Sequence, residues 1–210
     1  GPTAGGTTIT LSGGAFPPGE YICQFNGLER LATRISSSVL RCNAPPMHFS
    51  SQQQAAVRLR FNNVTLSAMN SFLFYRPPRL LGLHPPAGPQ RGGTMLTLVG
   101  QSLEASTLAW CKFAHDGTTG RPLALVVPAH RVSSFQLGCV TPMASLLGPH
   151  LVEISFNDQQ YTASQHLFTY QPPLLLRRLF PAKGPTQGNT LVHVSTHRAD
   201  SIVGTSLCTR

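Results

Sequence analysis

One phrase occurs twice in this chain and a looser version occurs a third time. Gly1-Pro2-Thr3-Ala4-Gly5-Gly6-Thr7 returns as Gly88-Pro89-Gln90-Arg91-Gly92-Gly93-Thr94, and again as Gly184-Pro185-Thr186-Gln187-Gly188-Asn189-Thr190. Internal repetition constrains a fold more than any local propensity, because each copy has to be one structural unit. The similarity extends past the opening turn. Cys23-Gln24-Phe25 matches Cys111-Lys112-Phe113, and Cys42-Asn43-Ala44-Pro45 matches Cys139-Val140-Thr141-Pro142. Val57–Asn62 matches Val152–Asn157, and Leu73-Phe74-Tyr75-Arg76-Pro77-Pro78 matches Phe168-Thr169-Tyr170-Gln171-Pro172-Pro173. The cysteines are 19 residues apart in the first copy (42 − 23) and 28 apart in the second (139 − 111), which predicts a longer loop around His115–Arg121.

The copies read as β-structure. Thr7–Ser12, Thr94–Val99 and Thr190–Ser195 alternate polar and apolar residues, the pattern of a half-buried strand. Ala56–Phe61 and Leu151–Phe156 alternate too. Each is followed by a short polar stretch and a second β-prone run ending at Tyr75 or Tyr170, which predicts a hairpin in each copy. With 19 glycines, 18 prolines and 11% charged residues, the chain is turn-rich and weakly charged. That profile suits a β-sandwich better than a helical protein.

The five cysteines fall at equivalent repeat positions. Pairing within each copy joins Cys23 to Cys42 and Cys111 to Cys139. Cys208 follows Thr190 at about the distance at which Cys23 follows Thr7, so it reads as the first cysteine of a further pair. A zinc site is disfavoured, because no C-x2-C pair is present. Disulfides imply an oxidising compartment, extracellular or cell-surface. In that setting Asn63-Val64-Thr65 is a glycosylation sequon on an expected turn.

Gly-Pro-x-x-Gly-Gly-Thr before an alternating strand, then Cys-x-Phe, Cys-x-x-Pro, Phe-Asn and a closing aromatic, resembles the IPT/TIG repeat over nearly the whole chain. The resemblance implies an all-β fold of tandem immunoglobulin-like sandwiches. Gly5-Gly6, Gly92-Gly93 and Gly188 would form the repeat-start turns. Asn189 departs from the second glycine of the motif but tolerates positive φ. Repeats of this type occur in plexins and related receptors, in fibrocystin-like surface proteins, beside some polysaccharide-active enzymes and in Rel-type transcription factors. The expected division is 1–76 for a first repeat without its opening strand, 77–171 for a second, and 172–210 for an incomplete third. The phase of the repeats predicts a piece of a longer array.

No catalytic set is evident. The seven acids, Glu20, Glu29, Glu104, Asp116, Glu153, Asp158 and Asp200, do not cluster, and no Gly-x-Ser-x-Gly elbow, phosphate loop or His-Glu-x-x-His occurs. His193 and His197, four apart in a strand, would be separated by about 13 Å and share no metal. The net charge of +9 is almost all arginine and is scattered, which argues against a nucleic-acid partner. No cofactor is expected. The expected partners are neighbouring repeats, other protein chains and glycans, with membrane attachment only through other parts of a parent protein. The expected function is a structural or adhesive segment of an extracellular repeat protein, a stalk or filament of a cell coat or cilium. The alternatives are a plexin-like receptor ectodomain, or a carbohydrate-binding accessory for which Trp110 is the only tryptophan.

Overall fold

The computed structural model describes residues 1–48, 53–62, 64–104, 108–115, 124–173, 175–197 and 205–208. Asn63 and most of the expected long loop, residues 116–123, lie outside these.

The first repeat contains β1 (Thr8–Ser12), β2 (Tyr21–Phe25), β3 (Leu28–Arg34), β4 (Val39–Asn43), β5 (Gln53–Phe61) and β6 (Val64–Phe74). They are linked in the order β1-β4-β3-β2-β5-β6. β3 pairs with β2 as far as Ala32 and with β4 from Thr33, so it crosses from one layer of a sandwich to the other. The second repeat contains β7 (Arg79–His84), β8 (Ala87–Pro89), β9 (Met95–Gln101), β10 (Ala109–His115), β11 (Ala124–Ser133), β12 (Gln136–Val140), β13 (Gly148–Ser155) and β14 (Leu167–Gln171). Here β11 makes the crossing, pairing with β10 up to Ala129 and with β12 from there. Each layer turns alternate side chains inward, which yields two separate cores. The Cys23–Cys42 and Cys111–Cys139 disulfides tie β2 to β4 and β10 to β12 across the layers, with all four residues buried. Closing loops of 19 and 28 residues contributes about 3 kcal/mol each in the chain-entropy view.

The structure shifts the repeat register at the closing aromatics by one residue. Phe25 packs edge-on against Phe72 and Phe74, and Phe113 packs the same way against Phe168 and Tyr170. Pro2 bridges Tyr75 where Pro89 pairs with Gln171. The equivalent of Tyr170 is therefore Phe74, and Tyr75 stands where Gln171 stands. The identity of the two tyrosines misleads because side-chain direction in a strand alternates, so a slip of one residue exchanges core for surface.

The expected hairpin forms in the first repeat, where β5 and β6 pair along most of their length. In the second repeat the same two strands also pair antiparallel, but over a shorter stretch and across a longer connection. β13 pairs with β14 only from Gly148–Leu151 to Leu167–Tyr170, and the residues between Ser155 and Leu167 form a loop. Asn157, Asp158 and the two glutamines that follow favour local turn bonds over a strand ladder.

The repeat-start turn is a close-packed joint. Gly6 N donates to Ala44 O and Gly93 N to Thr141 O, both at 2.9 Å. Gly5 and Gly92 have φ of +78° and +73°, and a Cβ on either would lie 2.5–2.9 Å from backbone atoms of the Cys-x-x-Pro segment. Gly93 also has positive φ (+81°) but faces open space. In the third repeat Gly188 and Asn189 keep the turn at φ of 84° and 62°. There β15 (Leu175–Phe180), β16 (Val192–His197) and β17 (Thr205–Cys208) form a three-stranded sheet. Cys208 stands opposite Val192, as Cys139 stands opposite Leu96. By backbone register it occupies the second-cysteine place, whereas its spacing from Thr190 suggests the first. Pairing there satisfies the otherwise open edge of β16.

Two predictions follow from this packing. Gly92→Ala should destabilise the second repeat by more than about 2 kcal/mol, since it adds a backbone clash to the left-handed strain, while Gly93→Ala should cost about 1 kcal/mol. Denaturant melts of the two variants measure the difference, and equal costs would remove the close-approach explanation. The second concerns His150, which is buried between His115 and Tyr170 with ring centroids 4.9 and 4.7 Å away. Burial lowers its pKa, repulsion from His115 adds to this, and a hydrogen bond to Gly148 O opposes it. A histidine held neutral in the fold stabilises above its unfolded pKa and ceases to do so as pH falls through the folded value. Between pH 7.5 and 5 the wild-type chain should therefore lose more melting temperature than His150→Leu.

Candidate functional site: the joint between the repeats

The backbone of Tyr75 belongs to the first repeat. Its N–H donates to Gly1 O at 3.0 Å and its carbonyl accepts from Thr3 N at 2.8 Å. Because Phe72 and Phe74 point into their own sandwich, alternation turns Tyr75 away from it. The side chain enters the core of the second repeat, 5% exposed, and packs edge-to-face on Phe156 with centroids 5.4 Å apart. Among the described residues its hydroxyl is buried with no hydrogen-bond partner, and burial pushes its pKa above the usual tyrosine range. One aromatic side chain thus anchors two domains.

Beside the anchor lies a polar latch made by the loop after β13. Asn157 Oδ1 accepts from Ser155 Oγ and from the backbone N–H groups of Gln159 and Gln160, at 3.1–3.2 Å. These bonds preform the loop, and Asp158 takes a φ of 57° within it. Tyr161 donates to Asp158 and lies under Lys112, whose Nζ is 4.3 Å from the ring centroid and 2.7 Å from Glu153. Burial, then the bond to Asp158 and its negative charge, raise the Tyr161 pKa.

This loop docks on the start of β1. Thr7 Oγ1 donates to Gln160 Oε1 at 2.9 Å, and Asn157 Nδ2 donates to both of those oxygens at 3.2 and 2.6 Å. Gln159 uses both ends of its amide on one residue: Oε1 accepts from Thr8 N at 2.8 Å and Nε2 donates to Thr8 O at 3.1 Å. Ala44 N bonds to Thr7 O and Gly13 N to Ser38 O, so the odd-numbered residues of this strand face β4. Thr8 therefore presents its backbone to the free edge, where the Gln159 amide stands in for one residue of a neighbouring strand.

The joint gathers none of the cysteines. The Gly5-Gly6 turn reaches it through Thr7. Trp110 is half-buried in β10, opposite Pro128 and Ser155. His193 lies on β16, and no group of three or more metal-ligating side chains occurs among the described residues. Sequence reading placed Tyr75, Phe156 and Asn157 in the repeat motifs without assigning them side chains at a joint, and it did not single out Gln159 or Gln160. The available signal was the Phe72-x-Phe74 alternation, which marks Tyr75 as outward.

These features define a class, and comparison with known proteins agrees. Residues 1–74 match the IPT/TIG domain family, and the second sandwich repeats the same strands, turn and disulfide. The chain is all-β, built of immunoglobulin-like sandwiches of which the first matches the IPT/TIG family. Plexin-2 of Caenorhabditis elegans is 24% identical over 214 residues, covering 96% of this chain and 11% of that protein. Plexin-A3 of Rattus norvegicus is 28% identical over 137 residues, covering 59% of this chain and 7% of that protein. The chain thus spans about a tenth or less of these relatives' length. A solved structure of the full extracellular region of plexin A4, domains 1 to 10, superposes over 99% of this chain and 20% of that one, with a TM-score of 0.56 at 14% identity, a likeness of fold. With its two buried disulfides, the segment belongs to the extracellular or cell-surface compartment.

Tyr75 supplies a prediction of opposite signs. Tyr75→Ala should cost about 3–5 kcal/mol by emptying a site in the second core. Tyr75→Phe should be neutral or stabilising by up to about 1 kcal/mol, because it removes a buried hydroxyl that has no partner among the described residues. Differential scanning calorimetry separates the two, and a Tyr75→Phe variant as damaged as Tyr75→Ala would mean that the hydroxyl has a partner.

Proposed function

We propose that this segment is a non-catalytic spacer in a plexin-like receptor ectodomain, whose task is to hold successive sandwiches at a fixed mutual angle. The relatives are plexins, which favours a receptor ectodomain over the filament or ciliary coat that the repeats alone suggested. The observation that carries the spacer reading is Tyr75, whose backbone is bonded in one repeat and whose side chain is buried in the next. Swinging the repeats apart would expose that ring together with Phe156, and exposing a buried aromatic costs about 2–3 kcal/mol before the latch bonds are counted. A joint with such a cost transmits orientation rather than absorbing it. Ligand contacts would then lie on other parts of the parent protein, which this joint positions.

Nuclear relaxation of the 210-residue chain tests the reading. The first and second repeats should tumble with one common correlation time. Gln159→Ala combined with Tyr75→Ala should separate them into two shorter ones while each repeat stays folded. Independent tumbling in the wild-type chain would rule out the spacer role.

A further inference from the structure

Alternation puts Cys111 and Phe113 of β10 in the core of the second repeat, and His115, two residues on, shares their face. On the neighbouring antiparallel strand β13, His150 stands directly opposite His115. Residues opposite each other on one face have Cβ atoms about 4.5–5.5 Å apart, close enough for two imidazoles to share one small ligand. The pair is no general element of these sandwiches. Phe25 pairs with Val57 as Phe113 pairs with Val152, so Gly27 and Ala55 stand where the second repeat has His115 and His150. The pair also lies away from the joint. His150 precedes Phe156 by six residues (156 − 150), which is about 20 Å along an extended strand.

The two rings are spaced as metal-bound imidazoles are. Metal–nitrogen bonds of about 2.0–2.1 Å meeting at about 90–110° put the centroids of two ligating rings about 4.5–5.2 Å apart. The observed separation is 4.9 Å. His150 Nδ1 lies 3.2 Å from Gly148 O. A carbonyl only accepts, so Nδ1 carries the proton and Nε2 keeps its lone pair. Metal-ligating histidines characteristically spend their second nitrogen on such a carbonyl, which fixes the tautomer and the ring orientation. The Tyr170 ring packs edge-on against His150 at 4.7 Å and steadies it. Burial lowers the His150 pKa, the Gly148 bond opposes this and the charge of His115 adds to it. The ring is therefore neutral at pH 7, as a ligand has to be. His115 is half-buried, which leaves a solvent side for water ligands. Among the described residues no third metal-ligating side chain joins the two.

We propose that His115 and His150 form a two-histidine site for a divalent transition-metal ion, Zn2+ or Cu2+, with water completing its coordination. Imidazole nitrogen suits these ions, whereas Ca2+ and Mg2+ take oxygen ligands. Of the two, Cu2+ binds the tighter in the usual order of affinities. The ion ties β10 to β13 at the end of the second sandwich remote from the Tyr75–Phe156 contact. This inference stands apart from the spacer reading, since it concerns the second repeat alone.

The test titrates ZnCl2 or CuCl2 into the full 210-residue chain, freed of metal with EDTA, dialysed, and alkylated at Cys208 because a thiol takes the same ions. Calorimetry reads the affinity, and imidazole resonances read the Zn2+ site. The His115 and His150 signals should move together as Zn2+ is taken up, and Cu2+ should bind more tightly than Zn2+. His115→Gln, which keeps the size and polarity of a half-buried side chain, should weaken binding at least about tenfold, and His150→Leu should do the same. His193→Ala, on β16 of the third repeat, should leave the affinity unchanged. Failure of the wild-type chain to bind either ion overturns the proposal, as does a His115→Gln variant that binds as the wild type does. So does equal binding of CaCl2, which would mean oxygen ligands.

Discussion

Everything in these repeats is positioned by the contact of a glycine with the backbone of the Cys-x-x-Pro segment. At Gly5 and Gly92 there is no room for a Cβ, and φ is positive. Only glycine meets both demands at once. The contact sets the start of β1 and β9 against β4 and β12, and therefore places the disulfide partner of each β2-type strand. It also fixes Thr7 and Thr8 at the end of the sandwich, where the following repeat takes hold of them. The most repeated phrase in the sequence is thus a packing constraint at the point where one domain meets the next.

The joint divides its work between unlike interactions. The Tyr75–Phe156 contact is large and apolar and contributes most of the attraction. The Asn157–Gln160 loop supplies direction, because its bonds to Thr7 and Thr8 are satisfied only at one relative orientation. The loop is held by its own turn bonds and by the Lys112–Tyr161 and Lys112–Glu153 contacts before it meets the neighbour, so little ordering is required on docking.

How much of this was legible in the sequence depended on whether repetition or alternation carried the information. The turn, the cysteine positions and the strand-rich architecture recur, and recurrence exposes them. The connection of the second hairpin was expected too short, because Ile154–Phe156 looks like Leu59–Phe61 while the residues after it form side-chain turns instead of a ladder. Tyr75 was misplaced because identity with Tyr170 outweighed the alternation of Phe72 and Phe74, and one residue of slip reverses inside and outside. The latch was hidden for a different reason. Gln159 and Thr8 lie 151 residues apart, and neither residue type announces a partner.

Gln159 grips Thr8 by its main chain alone. Nothing in that bond depends on which side chain position 8 carries, and only proline would abolish it by removing the N–H. The joint therefore leaves the surface of the first strand open to sequence drift while the angle between domains is conserved. Arrays built this way can diversify the faces they display to partners without re-engineering the geometry that aims them.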